Sequence, residues 1–262
     1  MSATIRQPVL FLGHGSPMNA IEASPWRAAW ADLGRRLPRP RAILCVSAHW
    51  ETRGVYVTAA AAPETIHDFY GFPKALFDLR YPAPGDPALA RRIAALGADL
   101  PIRCDPGRGL DHGAWSVLHV MYPQADVPVL QLSLDTRQPG PWHYALARRL
   151  APLREEGVLI VGSGDIVHNL GLFRFHASAG LDWALRFRDE VNRRIAARDH
   201  AALADWPRLG TDAHLAIPTP EHYLPLLYAL ALERDDDSVE TFNDDVISAL
   251  SMTSLLIAPQ RG

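Results

Sequence analysis

The chain has 262 residues, 48% of them hydrophobic and 21% charged, so it can bury a sizeable core and is neither disordered nor fibrous. Its 26 basic and 29 acidic residues leave a net charge of −3, and the arginines are spread along the predicted helices, which argues against a nucleic-acid partner. The longest apolar stretch, residues 223–232, contains Pro225 and falls well short of the ~20 residues that span a bilayer, so no membrane partner is expected.

In chain order, hydrophobic patterning predicts a strand over 9–12, a helix over 20–37, strands over 42–47 and 55–58, and a helix over 87–96. A strand over 129–134, a helix over 143–152, a strand over 158–162, helices over 183–197 and 222–233, and a last strand over 254–258 follow. Short apolar runs alternating with helical patterns predict a single α/β domain over 1–262, its central mostly parallel or mixed sheet flanked by helices on both faces. The first thirteen residues lack the apolar core and cleavage site of a signal peptide, so a cytoplasmic location is expected. Cys45 and Cys104 are too few for a disulfide framework and read as structural.

The eleven histidines are the unusual component. Three predicted strands run into one, in Gly13-His14-Gly15-Ser16-Pro17, in Ser47-Ala48-His49-Trp50, and in Gly162-Ser163-Gly164-Asp165-Ile166-Val167-His168. Open α/β sheets place ligands at the carboxyl ends of strands, and imidazole suits Fe, Zn, Cu or Ni. A metal site assembled from separate strand ends is therefore expected. Gly162-Ser163-Gly164 lacks the Lys-Ser/Thr pair of a phosphate loop and the Gly-x-Ser-x-Gly of a nucleophile elbow, so Ser163 reads as a turn residue. His119, His143, His176, His200 and His214 read as surface or capping residues. Asp235-Asp236-Asp237 reads as a solvated turn.

The first and second of these segments, together with Thr65-Ile66-His67-Asp68-Phe69-Tyr70-Gly71-Phe72-Pro73, Asp111-His112-Gly113-Ala114-Trp115, Gly162-Ser163-Gly164 with His168-Asn169-Leu170, and Pro218-Thr219-Pro220-Glu221-His222-Tyr223-Leu224-Pro225, resemble the class III extradiol ring-cleavage dioxygenases. More narrowly they resemble the DOPA 4,5-dioxygenase branch, and the six motifs run in order from about residue 9 to 226. The resemblance implies a metal-dependent enzyme that opens the ring of a catechol, DOPA-like or related, with O2. It implies His14, His49 and His222 as metal ligands, with Glu221 the alternative third ligand, since the wider class uses a glutamate there. It further implies His168 as the acid-base residue and a neighbour of the metal, and His112 as a second histidine facing the substrate. His67, Phe69 and Tyr70 would bind the substrate, the aromatic loop walling a flat ring; Trp50 and Trp115 would pack. Fe(II) is expected for activity, while Zn(II) can occupy such a site in purified protein.

The residue chemistry agrees with those roles. A catechol chelates a metal only after losing protons, and an imidazole near neutrality can accept one. Two other readings use the same residues: a zinc-dependent hydrolase, since histidine clusters also activate water, and a non-catalytic binding protein of the same fold. A homo-oligomer is compatible with a chain of this kind.

Overall fold

The computed structural model describes residues 6–177 and 179–260. Its elements run β1 (Val9–Gly13), α1 (Pro25–Arg36), β2 (Ala42–Glu51), β3 (Val55–Thr58), α2 (Lys74–Asp78), α3 (Pro87–Leu96), β4 (Ile102–Asp105), α4 (His112–Met121), β5 (Val129–Leu134), α5 (Gly140–Arg149) and α6 (Pro152–Glu155). They continue with β6 (Val158–Gly164), α7 (Asp182–Ala196), α8 (His200–Ala204), α9 (Thr211–Ala216), α10 (Leu224–Leu230), β7 (Asp237–Phe242), β8 (Val246–Ile247), β9 (Leu250–Ser251) and β10 (Ser254–Pro259).

Eight strands form one sheet in the order β4-β3-β5-β2-β6-β1-β10-β7. β5, β2, β6 and β1 are mutually parallel; β10 and β7 add antiparallel on one side, and β3 pairs antiparallel with β5 on the other. Every residue of β1, β5 and β6 is buried. Side chains of β1 and β2 alternate between two cores: Val9, Phe11, Leu44 and Val46 meet α3, α5, α7 and α10, while Leu10, Leu12, Ile43 and Cys45 meet α1 and α4. A strand covered on both faces favours apolar residues, which is why β1, β5 and β6 read as mostly apolar runs, and their few polar members, Gln131, Ser133 and Ser163, are hydrogen-bonded inside the core. The chain therefore adopts the α/β architecture expected of it, with a mixed sheet between helical layers. Among the described residues, no helix is long and apolar enough to cross a membrane.

Several elements depart from the sequence expectation for identifiable reasons. β4 and β7 are edge strands with only their first residue buried, and their charged outward positions, common at edges, hide them from an apolar-run criterion. α4 is buried at every residue but His119, so it shows no amphipathic stripe to recognise. α1 starts at Pro25, where the Ser24 side chain accepts from Arg27 N–H and ends the preceding loop as an N-cap. α10 starts at Leu224, so His222 lies in the turn before it.

Two polar groups expected at the surface are buried. Asp237 is fully enclosed and pairs with the equally enclosed Arg154 at 2.6 Å, so the acidic run is only partly a solvated turn. His143 is fully buried; its Nε2–H donates to the Asp135 carbonyl at 3.1 Å and its Nδ1 accepts from Tyr228 Oη at 3.0 Å. His176 and His214 are exposed, as expected. Cys45 is buried and Cys104 exposed.

Candidate functional site

β6 lies between β2 and β1, with Ser163 in register with Ser47 and Gly164 with Gly13. The three parallel strands therefore finish together. His14 follows β1 directly, His49 stands near the end of β2, and Asp165 and His168 follow β6, so all four leave the sheet at the carboxyl edge where such sheets bind ligands. A fourth segment is admitted by glycine. A Cβ on Gly164 would overlap the His222 carbonyl and one on Gly162 the Pro225 carbonyl, and Asp165 N–H donates to His222 C=O at 2.9 Å. These glycines are the seat on which residues 222–225 rest against β6, a close approach that only glycine allows.

The His14, His49 and His222 rings surround a common space, with centroids 5.0 Å (His14–His49), 5.4 Å (His14–His222) and 5.0 Å (His49–His222) apart. His14 Nε2 and His49 Nε2 face each other at 3.1 Å. Donor atoms lie within 4.8 Å of one another in three overlapping groups: His14, His49 and His112; His14, Asp165 and His222; His168, Glu221 and His222.

The outer nitrogens decide which lone pairs point inward. Ser163 Oγ donates its proton to the Gly113 carbonyl at 2.5 Å, so at 3.0 Å from His14 Nδ1 it can only accept. That places a proton on His14 Nδ1 and leaves the Nε2 lone pair facing the cluster. His222 Nδ1–H likewise donates to Glu221 Oε1 at 3.0 Å, and His222 Nε2 is buried without a partner. An imidazole whose far nitrogen is tied to a carboxylate or hydroxyl is oriented as metal-binding histidines are. The orphaned Nε2 and the neutral nitrogen donors fit a transition metal of the Fe or Zn type.

Burial foremost, with neighbouring imidazoles adding to it, pushes His14 and His222 well below the ordinary histidine range. Burial brings His49 down to about 3, against the opposing pull of Asp68, and His168 down to about 4. Neutral imidazole is the form that binds a metal or accepts a proton. Burial alone would raise the Asp68 carboxyl, but its bonds to His112 hold it down at about 2.

The remaining predicted residues divide. His168 stacks on His222 with ring centres 3.4 Å apart and planes 7° from parallel. His112 opens α4, its ring 3.9 Å from that of His49; its backbone N–H and Nδ1–H both donate to Asp68 Oδ1, at 3.0 and 2.9 Å. Buried Asp111 caps this helix and accepts from Ser47 Oγ and Gln131 Nε2, each at 2.6 Å, tying α4 to β2 and β5. Phe69 reaches the cluster through an edge contact with His112 at 5.5 Å. His67 turns its Nε2 to the Leu79 carbonyl at 3.0 Å and to Arg80 Nη1 at 3.3 Å, and its ring lies among Phe69, Phe77 and Trp115. Tyr70 is 91% exposed. Sequence reasoning passed over Asp165 and Asp68, and Ser163 is a fully buried strand residue bonded to His14 rather than a turn residue. The only available signal was that each stands inside a segment that carries a histidine.

Residues 10–253 match the family described as the catalytic LigB subunit of aromatic ring-opening dioxygenase. The chain is 46% identical over 264 residues to a 4,5-DOPA dioxygenase extradiol of Escherichia coli (strain K12), covering 98% of this chain and 96% of that protein. It is 37% identical over 240 residues to a 4,5-DOPA dioxygenase extradiol of Beta vulgaris, covering 89% and 90%. The crystal structure of uncharacterized protein JW3007 from Escherichia coli K12 superposes with a TM-score of 0.85 at 41% identity, over 97% of this chain and 100% of that one.

Proposed function

The chain belongs to the aromatic ring-opening dioxygenases of the LigB family, and from that premise we propose that it opens a catechol ring, DOPA-like or related, at a metal ion held by His14, His49 and His222. The enzyme class follows from the family; the catechol, the ion and the residue roles are the proposal. The observation that carries it is the inward pair of Nε2 lone pairs on His14 and His222, fixed by Ser163 and Glu221, beside His49 Nε2. Glu221 Oε1 accepts from Thr219 Oγ1 at 2.8 Å and from His222 Nδ1–H at 3.0 Å, so Glu221 orients the His222 ring as outer partners of metal-binding histidines do, which favours His222 over Glu221 as third ligand.

Fe(II) bound there would supply open positions for both catechol oxygens and for dioxygen, and couple the two, whose direct reaction is spin-forbidden. The chain's own residues supply the proton chemistry. His168, held neutral by burial, takes a proton from a catechol hydroxyl and can return it to the opened product. His112, anchored by Asp68 at Nδ1, turns its other ring nitrogen to the substrate as a second hydrogen-bonding group. Phe69 forms one apolar wall for the ring.

The test is to load metal-free protein anaerobically with Fe(II), add a panel of catechols including DOPA, and admit oxygen. Stoichiometric oxygen uptake with a yellow ring-opened product is expected; no uptake with any catechol refutes the proposal. Bound zinc alone decides nothing, because nitrogen ligands suit zinc equally.

A further inference from the structure

We propose that Asp165 is a fourth metal-binding residue of this centre, an anionic donor beside the three imidazoles, an assignment that rests on the metal-centre reading above. Asp165 is 1% exposed, and its two carboxylate oxygens have different fates. Oδ1 accepts from Gly15 N–H at 3.2 Å, which fixes the rotation of the carboxylate. Oδ2 is thereby turned inward, where it is buried with no hydrogen-bond partner and lies 3.7 Å from His14 Nε2. The Asp165 backbone also holds the segment that carries His222, through N–H to His222 C=O. One residue thus ties together the loops bearing two of the three imidazoles and aims a carboxylate oxygen between them.

A buried carboxylate oxygen without a donor or a cation is costly. Among the described residues, the only basic side chain paired with Asp165 is His14, which burial keeps neutral, and the nitrogen facing it carries the lone pair that also faces His49. Neither lone pair nor carboxylate satisfies the other; a cation between them satisfies both. Two ligands of one ion at ~2.1 Å each stand at most about 4.2 Å apart. The 3.1 Å between His14 Nε2 and His49 Nε2 and the 3.7 Å between His14 Nε2 and Asp165 Oδ2 both fit under that limit; the Asp165, His14 and His222 donors lie within 4.8 Å of one another, so a small inward shift of the side chains brings them onto one ion. Asp165 cancels one of the two charges that three neutral imidazoles leave on a divalent ion. With an ion bound there, Asp165 would help to hold it before substrate arrives.

Co(II) is the probe, added to metal-free wild type, Asp165→Asn and His49→Ala, with affinity measured by chelator competition and coordination by the visible spectrum. Asparagine keeps an oxygen for Gly15 N–H and replaces the inward Oδ2 by an uncharged NH2 that cannot bind a metal. Wild type should bind one Co(II) per chain, and Asp165→Asn should bind it at least ~10-fold more weakly with an altered spectrum. Wild-type affinity and spectrum in Asp165→Asn, with binding lost in His49→Ala, overturn the role of Asp165 and leave the metal centre standing. No binding by wild type, or undiminished binding by His49→Ala, overturns the metal centre itself. Should circular dichroism show the asparagine variant unfolded, Asp165→Ser is read in the same way.

Discussion

Replacing Ser163 by alanine should loosen the proposed metal centre without touching any ligand. The hydroxyl is wholly buried and serves two groups at once, donating to the Gly113 carbonyl and accepting from His14 Nδ1–H. Alanine leaves both in the core without partners. Each stranded group costs about 1–3 kcal/mol, so a stability loss of roughly 2–4 kcal/mol is expected after partial relaxation. Metal affinity should fall separately, because His14 loses the bond that keeps its Nε2 unprotonated; loss of such outer partners weakens binding about 10–100-fold. Denaturant unfolding measures the first effect and chelator competition the second. Ser133→Ala is the matched control: Ser133 is equally buried, but its hydroxyl serves Thr52 Oγ1 and Tyr56 N–H. It should lose stability and keep metal affinity. If Ser163→Ala binds metal as tightly as Ser133→Ala, His14 is not oriented by Ser163 and the tautomer assignment is wrong.

His168→Ala should lower turnover by about 10²–10⁴-fold, the usual contribution of a general acid-base group, while metal content by elemental analysis stays near the wild-type value. Gly164→Ala drives a Cβ into the His222 carbonyl and should cost about 1–3 kcal/mol in a denaturation curve, together with a measurable loss of bound metal. Asp237→Ala strands the Arg154 guanidinium in the core, a change worth about 3–5 kcal/mol in unfolding free energy; removing both partners together should cost less than the two single losses summed. His143 is lowered by burial to about 4, so the unfolded chain takes up its proton near pH 6.5 while the folded chain resists until about 4. The His143 contribution is therefore complete above pH 6.5 and is lost as pH falls towards 4, by up to about 3 kcal/mol. His143→Gln should flatten the wild-type slope of stability over that window; an unchanged slope counts against a neutral buried imidazole.

The parallel centre of the sheet was legible in the chain because β1, β5 and β6 are buried on both faces and are therefore mostly apolar, with a polar residue only where it finds a partner inside. The edges were not, since Ile102–Asp105 and Asp237–Phe242 carry solvent-facing charges, and α4 was hidden by being buried nearly all round. His14, His49 and His168 announced themselves by ending strands, and the six ordered motifs pointed to the family. The sequence could not say that Tyr70 projects into solvent or that the ring nitrogen of His67 is committed to a main-chain carbonyl, because both depend on how the aromatic loop closes.

Local chemistry, then, determined by itself the fold class, the histidine-bearing strand ends and the ring-opening family, since apolar periodicity and motif order are properties of neighbours along the chain. Tertiary structure alone decided which nitrogens carry protons and which carboxylates face inward. Ser163, Glu221, Asp68 and Asp165 stand against histidines through contacts as distant in sequence as the 149 residues between Ser163 and His14, and a hydrogen bond is set by distance and angle in space, to which linear spacing is blind.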